Sequence, residues 1–293
     1  MNPYENILLI TDLDGTLVPH GGRVSDENRR AIETFTAGGG CFGIATGRTP
    51  EDSVGFVKGL PIQAPSIFYN GAMLYDWQRK TPLCVRPLPS PPEDPACWPR
   101  FAAACQQLLP TACIEIYTAD GCHIITDPAY DDPRLAKEFF HIAHTALETL
   151  SDPQETPWLK FFVNDTPAQL RCLEAAVHAQ HIDALATTFY SEVNYFEFVA
   201  KDASKGAMLE ELRRLPAGNG KIIIAAGDFL NDNEMLRAAD VGVASGNAHA
   251  ATKATAALVG CPASDHLMAW ILENVIKNRA FPPRKRGNHH LRV

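Results

Sequence analysis

Ile7-Leu8-Leu9-Ile10-Thr11-Asp12-Leu13-Asp14-Gly15-Thr16-Leu17 joins an apolar run of strand length to two carboxylates spaced two residues apart, with a glycine after the second. Strands buried on both faces of a parallel sheet are near-continuous hydrophobic runs. Ile7 to Thr11 therefore reads as an interior strand, with Asp12 and Asp14 where it ends. Two like charges in a partly buried site repel, and one is neutralised unless a cation lies between them. Carboxylate oxygens beside a flexible glycine turn suit a hard ion such as Mg²⁺, which takes few protein ligands and keeps places for water and phosphate. Taken alone, D-L-D-G serves equally well as a turn at Asp14-Gly15, with Asp12 capping the next segment.

Three further apolar runs end in the same way. Cys41 to Ala45 leads into Thr46-Gly47-Arg48, Ser66 to Tyr69 into Asn70-Gly71, and Lys221 to Ala226 into Gly227-Asp228. Between the first two runs, Ser25 to Ala37 opens on a good N-cap and stops at Gly38-Gly39-Gly40, which are helix start and stop signals. Strand and helix in alternation predict an α/β fold, a doubly wound parallel sheet whose ligands bind at the carboxyl ends of the strands. Asp12, Thr46, Asn70 and Asp228 then share one edge.

Two segments complete the set. Ala203-Ser204-Lys205-Gly206 opens a helix reaching to about Leu215, placing a cation near a helix N-terminus, where backbone N–H groups already favour anions. Gly227 to Leu236 reads G-D-F-L-N-D-N-E-M-L, with Asn231 and Asp232 in the first turn of the next helix, directed back toward the strand edge. Singly, Lys205 is a solvated lysine and Asn231 and Asp232 are helix caps. Together, Asp, Asp, Thr, Lys, Asp, Asn and Asp all at strand-to-helix junctions point to a phosphate and metal site.

These residues resemble a known family. D-L-D-G-T at Asp12 to Thr16, A-T-G-R at Ala45 to Arg48, S-K-G at Ser204 to Gly206 and G-D-F-L-N-D at Gly227 to Asp232 look like the four motifs of the haloacid dehalogenase (HAD) superfamily phosphatases. The resemblance is to the Cof-type branch, near the sucrose-phosphate and mannosyl-3-phosphoglycerate phosphatases. N-G-A at Asn70 to Ala72 and V-G-V-A-S-G-N-A at Val241 to Ala248 extend it. Ser245 stands where the branch often has Met, and Ala203 where Val is common. The resemblance implies a Mg²⁺-dependent phosphatase acting on a small phosphate monoester, a sugar phosphate above all, with a large α/β cap inserted in the core.

Composition agrees with such an enzyme. A chain of 293 residues, 46% hydrophobic, exceeds the ~100–200 residues of one domain and predicts two. A formal charge of −8 argues against a nucleic-acid or membrane-surface binder. Arg284, Lys285 and Arg286 after Pro282-Pro283 read as a frayed basic tail. No apolar run approaches the ~20 residues of a membrane span, and Met1 to Glu5 lack the basic and apolar regions of a signal peptide. The expectation is a cytoplasmic protein, a monomer or weak homodimer. Eight cysteines without a C-x-x-C suit buried reduced thiols. His141 with His144, and His178 with His181, have helical i, i+3 spacing, but no third or fourth zinc ligand lies near either pair in sequence.

After Ala72 the pattern changes. An antiparallel pair around Met73 to Tyr75 and Leu83 to Arg86 precedes Pro87 to Pro95, whose five prolines exclude regular structure. Helix-like Trp98 to Leu109, strand-like Ile114 to Tyr117 and His123 to Thr126, helix-like Arg134 to Leu150, strand-like Leu159 to Val163, helix-like Ala168 to Ala179, and strand-like Thr187 to Tyr190 and Tyr195 to Val199 come next. Grouped strands with helices on one face describe an α+β layer. The reading is a core of residues 1–83 and 196–293 with a cap of residues 84–195 inserted.

The resemblance assigns roles on these positions. Asp12 is the nucleophile and Asp14 the general acid and base; Asp12, the Asp14 main chain and Asp228 hold Mg²⁺; Thr46, Gly47, Lys205 and Asn231 bind phosphate. Asp232 orients Lys205 or a metal-bound water, and Thr16 braces the nucleophile loop. Arg48 contacts phosphate or makes a structural ion pair. Polar loop residues Asp120, His123, Glu192, Asn194 and Tyr195 are the cap's candidates for substrate specificity. A phosphohexomutase of the phosphomannomutase type and a non-catalytic sugar-phosphate sensor are the alternatives, since both need most of the same groups. A receiver-type signalling domain needs about half this length and has no use for Asp14.

Overall fold

The computed structural model describes residues 2–133, 142–152, 155–279 and 281. The first run of sequence builds β1 (Ile7–Thr11), α1 (Asp26–Ala37), β2 (Cys41–Ile44), α2 (Pro50–Val57), β3 (Ser66–Phe68), β4 (Met73–Asp76) and β5 (Thr81–Val85). Ser25 accepts a hydrogen bond from Asn28 N, so α1 starts at its expected cap. The middle run gives α3 (Cys97–Leu108), β6 (Cys113–Thr118), β7 (Gly121–Ile124), β8 (Ile142–His144), β9 (Lys160–Asn164), α4 (Pro167–Ala179), α5 (Ile182–Leu185), β10 (Ala186–Glu192) and β11 (Tyr195–Ala200). The last run supplies α6 (Lys205–Arg214), β12 (Ile222–Gly227), α7 (Asn233–Ala238), β13 (Val241–Ala244), α8 (Ala250–Thr255), β14 (Leu258–Val259) and α9 (Leu267–Ile271).

The core sheet runs β14-β13-β12-β1-β2, every pair parallel. Its strands are apolar on both faces because both faces are covered. Leu9, Phe42, Ile224 and Val243 pack on the α1 and α9 side, whereas Leu8, Ile10, Ile223 and Ala225 pack with Met208, Leu209 and Met235 of α6 and α7. β3 begins a separate antiparallel sheet, β3-β4-β5, joined to the end of β2 by a parallel bridge between Ala45 and Ile67. That bridge brings Asn70 to the edge already occupied by Asp12.

The middle segment forms a six-stranded sheet, β10-β11-β9-β6-β7-β8, antiparallel except for the β7–β8 pair. Side chains alternate between its faces. Ile114, Ile116, Phe161, Val163, Phe196 and Phe198 pack under Trp98 and Phe101 of α3 and Leu170 and Leu173 of α4. Tyr117, Phe162 and Val199, on the opposite face, pack with Tyr69 and Ala72 of the core. The molecule is therefore α/β, a parallel core with an α+β cap inserted between β5 and α6, as the sequence predicts.

Two expectations change. Residues 142 to 150 are not helical: Ile142–His144 form an edge strand paired with β7, and Leu147–Leu150 a 3₁₀ turn. Ladder hydrogen bonds on an open sheet edge outweigh weak helical periodicity there. Residues 134–141 of the expected helix, with His141, lie outside the described residues, as do Pro282, Pro283 and the basic tail from Arg284 to Arg286. The expected boundary at residue 195 also falls at the start of a strand of the cap sheet, because β11 pairs with β9 and β10 as far as Ala200. The other boundary, between residues 83 and 84, falls within β5. His144 bonds Asp131 and His178 bonds Asp183, each ring with a carboxylate partner. No disulfide joins the eight cysteines, and no helix among the described residues is long and apolar enough to cross a membrane.

The cap's apolar face sets a stability expectation. Phe198 is fully buried among Phe101, Phe161 and Phe196, with ring centroids 5.1–5.5 Å away. Phe198→Ala should cost about 3–5 kcal/mol, read as a lowered urea midpoint. Val193→Ala, at a position 74% exposed, should change stability by less than about 0.5 kcal/mol. Equal effects would mean that this face is not packed as described.

Candidate active site

The chain turns sharply where β1 ends. Asp12 N still donates to Ala226 O of β12 at 2.8 Å, continuing the parallel ladder, and then Gly15 N donates to Val18 O and Val18 N to Leu13 O, both at 2.8 Å. Gly15 has a φ of +75°, and a Cβ there would run into the Asp228 carboxylate. Glycine is thus required by both backbone and neighbour. Thr16 Oγ1 donates to Asp228 Oδ1 at 3.1 Å, and Asn247 Nδ2 to Gly15 O at 2.8 Å. Thr16, expected to brace this loop, thus ties it to Asp228.

Lys205 is the first residue of α6, capped by Ser204, and its side chain is 1% exposed. Its Nζ donates to Asp12 Oδ1 at 2.6 Å and to Asp232 Oδ1 at 2.7 Å. The other oxygen of Asp232 accepts from Asp228 N at 2.8 Å and Phe229 N at 3.0 Å. Both oxygens of Asp232 are therefore committed to orienting Lys205 and the Asp228 loop. Burial works against the Lys205 ammonium, but Asp12 and Asp232 more than offset it and hold its pKa above the usual range. Burial raises the Asp12 carboxyl well above its ordinary value, against the opposing pull of Lys205, with Asp232 and Asp228 adding to the rise. Burial, then Asp232, raises Asp228 as well.

One oxygen each of Asp12, Asp228 and Asp232 lies within 4.8 Å of the others. Three buried carboxylates against one ammonium leave an excess of negative charge, and hard oxygen donors around it fit a divalent metal. Such an ion beside Asp12 and Asp228 would return both to the ionised state.

The remaining core residues gather around Asn70. This buried residue has a φ of 56°, its N donates to Thr46 O at 3.1 Å, and its Oδ1 accepts from Asn231 Nδ2 at 3.1 Å. Gly47 faces the Asn70 amide, and Gly71, with a φ of +104°, lies so close to the Ser204 backbone that no Cβ fits. Thr46, Gly47, Asn70, Asn231 and the start of α6 thus converge. Arg48 points elsewhere. Its Nε donates to Asp14 Oδ2 at 2.8 Å and its Nη2 to Asp14 Oδ1 at 3.0 Å, while Nη1 pairs with Asp52 and the guanidinium lies 4.4 Å over the Phe56 ring. Of its two expected roles, Arg48 makes the ion pair. Burial opposes its charge, but Asp14 and Asp52 raise its pKa overall. Asp14 itself is half-exposed, with its side chain 46% accessible.

The cap residues singled out in the sequence fall in two places, Asp120 and His123 at the β6–β7 hairpin and Glu192, Asn194 and Tyr195 at the β10–β11 turn, with β9 between. Asp120 and Glu192 are exposed, His123 bonds Thr118 and Thr145 through its two ring nitrogens, and Asn194 Nδ2 donates to Asn164. Tyr195 shares a face with Phe162, their rings 5.1 Å apart. Sequence reasoning missed Lys160 and Glu197, which form an ion pair of 2.7 Å with both side chains about 5% exposed. The signal was present: one charged residue interrupts each of the apolar runs Leu159 to Val163 and Tyr195 to Val199.

A sequence model described as haloacid dehalogenase-like hydrolase matches residues 9–271. Among curated proteins, pyridoxal phosphate phosphatase YbhA of Escherichia coli (strain K12) is 26% identical over 92% of this chain and 98% of its own length. The 5-amino-6-(5-phospho-D-ribitylamino)uracil phosphatase YitU of Bacillus subtilis (strain 168) is 24% identical over 86% of this chain and 89% of its own. The crystal structure of TM0651 from Thermotoga maritima superposes with a TM-score of 0.75 at 24% identity, covering 92% of this chain and 97% of that one. Its likeness concerns the fold.

Removing the ammonium tests the electrostatics. Lys205→Met leaves Asp12 and Asp232 without their cation, which should cost about 3–5 kcal/mol at pH 8. Without the opposing pull of Lys205, the Asp12 carboxyl rises further above its ordinary value than in the parent, so the folded variant takes up a proton at higher pH than either the parent or the unfolded chain, whose pKa is about 3.9. The native state binds more protons, so stability falls as pH rises. The deficit against the parent protein should shrink from pH 8 to pH 5 in metal-free denaturant titrations. A deficit independent of pH would contradict the assigned charge balance.

Proposed function

The chain belongs to the haloacid dehalogenase-like hydrolases, and from that premise we propose that it is a phosphatase that hydrolyses a small phosphate monoester, in first place a sugar phosphate, with Mg²⁺ as cofactor. The observation that carries this reading is the grip of Lys205 on Asp12 at the carboxyl end of β1, with Asp14 two residues on and Asp228 beside it. The names of the relatives, phosphatases of pyridoxal phosphate and of a phosphoribitylamino compound, support the substrate size.

Asp12 attacks the phosphorus and forms an aspartyl phosphate, dividing one difficult displacement into two easier ones. Lys205 keeps the attacking carboxylate oriented, and the same ammonium neutralises an equatorial phosphate oxygen. Thr46 hydroxyl, Gly47 N–H and Asn231 amide bind the other oxygens, where positioning and charge stabilisation supply most of the rate. Asp14 protonates the leaving oxygen and then, as carboxylate, activates the water that attacks the acyl phosphate. Its half-exposed side chain has room to turn between these tasks, and Arg48 sets the direction from which it starts. Mg²⁺, held by Asp12, the Asp14 main chain and Asp228, would offset the repulsion between carboxylate and phosphate dianion. The segment from the end of β5 to the end of β11 closes over the site, excludes water and selects the leaving group.

Asp12→Asn should lower kcat by more than about 10³-fold with the fold intact, because covalent catalysis is lost outright. Substantial turnover by a well-folded, uncontaminated variant would overturn the nucleophile. Excess chelator should abolish phosphate release and Mg²⁺ restore it, with Ca²⁺ a poor substitute because its larger, looser shell misplaces the in-line geometry; full activity in chelator would contradict the metal. Asp14→Ala should slow release of an alkoxide far more than of nitrophenolate, which departs without a proton. Equal losses on both would remove Asp14 from the acid role.

A further inference from the structure

The cap sheet presents one buried ion pair to the core. Lys160 of β9 and Glu197 of β11 lie on the face that carries Tyr117, Phe162 and Val199, and Lys160 Nζ stands 4.9 Å from the Tyr117 ring centroid and 5.1 Å from that of Phe162. Glu197 Oε2 also accepts from Asn70 Nδ2 at 3.4 Å. Asn70 is the residue around which Thr46, Gly47 and Asn231 gather. Glu197 is therefore two hydrogen bonds, through Asn70, from the Asn231 amide proposed to bind phosphate, on the cap side of that residue.

Stability alone does not account for such a pair. Removing two charges from water costs several kcal/mol per ion, and apolar replacements are often as stable. The pair also has capacity to spare: an ammonium has three N–H donors and a carboxylate two oxygens, yet among the described residues Lys160 has one ion-pair partner, Glu197 Oε2, and that same oxygen accepts from Asn70. Donor and acceptor capacity remains side by side in an otherwise apolar wall. Adjacent hydroxyls match it, one donating to the carboxylate and one accepting from the ammonium. The pair carries no net charge to attract an anion, and Asp12, Asp228 and Asp232 crowd the neighbouring site with carboxylates, so a second anion on the leaving group gains nothing from the pair and is repelled by the cluster.

Resting on the phosphatase reading above, the geometry points to Lys160 and Glu197 as the cap's specificity subsite, binding neighbouring hydroxyls of a neutral polyol or sugar leaving group and rejecting leaving groups that carry a carboxylate or a second phosphate. A site built to hydrogen-bond a hydroxyl discriminates strongly against analogues that lack it, because its own polar groups are then left unpaired.

The test compares the full chain with Lys160→Met, Glu197→Gln and the apolar double variant Lys160→Met/Glu197→Leu, on a panel of neutral sugar and polyol monophosphates, phosphoglycerates and acetyl phosphate, in Mg²⁺. The parent should prefer the neutral esters to the phosphoglycerates. Each single variant should lose at least tenfold in kcat/KM on the preferred neutral ester, mainly through KM, but less than threefold on acetyl phosphate. The double variant, which removes both charges and so keeps the fold even where a single variant does not, should show the same loss. Recovery of neutral-ester turnover in the double variant would make the pair purely structural, and equal losses on both substrates would make it part of the phosphate site; either overturns the proposal. A parent without turnover of any phosphate would instead overturn the phosphatase reading.

Discussion

The site depends on one ammonium held between two carboxylates in a place water hardly reaches. Lys205 touches Asp12 and Asp232 at 2.6 and 2.7 Å, and each of the three comes from a different junction between strand and helix. A parallel sheet makes this possible, since β1 and β12 end side by side and the helix N-termini beyond them favour anions. The same geometry makes it costly, because Asp12, Asp228 and Asp232 repel one another in low dielectric. Fold and chemistry are thus coupled: the excess of negative charge that the sheet edge gathers at Asp12, Asp228 and Asp232 is what suits the cluster to a cation.

The parallel core, and the gathering of Asp12, Thr46, Asn70 and Asp228 at one edge of it, were legible in the sequence because each of these four follows an apolar run long enough to be read as a buried strand. Asp12 after Ile7 to Thr11, Thr46 after Cys41 to Ala45 and Asp228 after Lys221 to Ala226 came directly from that pattern, and the caps at Ser25 and Ser204 fixed the helices between. The division of labour between Asp228 and Asp232 was expected from the resemblance, which gave metal to Asp228 and the orienting of Lys205 or a metal-bound water to Asp232, and not from spacing. It arises from two backbone N–H groups that only the folded loop aims at Asp232.

The cap was less legible, for two physical reasons. Ile142–His144 owe their strand to the open edge of β7, a partner that local periodicity cannot register. Polar loop positions such as Asp120 and Glu192 also stand out in a sequence more readily than charges inside strands. Lys160 and Glu197 sit within apolar strands, where two-residue alternation places them on the core-facing side with Tyr117 and Phe162. A charge in the middle of an otherwise hydrophobic strand is more informative than one in a turn, because burial without purpose is expensive.

The central claim is that Asp12 forms a covalent bond to phosphorus, and an acyl phosphate can be trapped as such. Enzyme mixed with substrate and Mg²⁺ would be quenched on the millisecond scale, treated with borohydride to reduce the acyl phosphate to an alcohol, digested and sequenced by mass spectrometry. The account predicts homoserine at position 12, dependent on substrate and absent from the Asp12→Asn variant. Reduction at Asp14 or Asp228, or steady turnover with no modified carboxylate at any quench time, would contradict it.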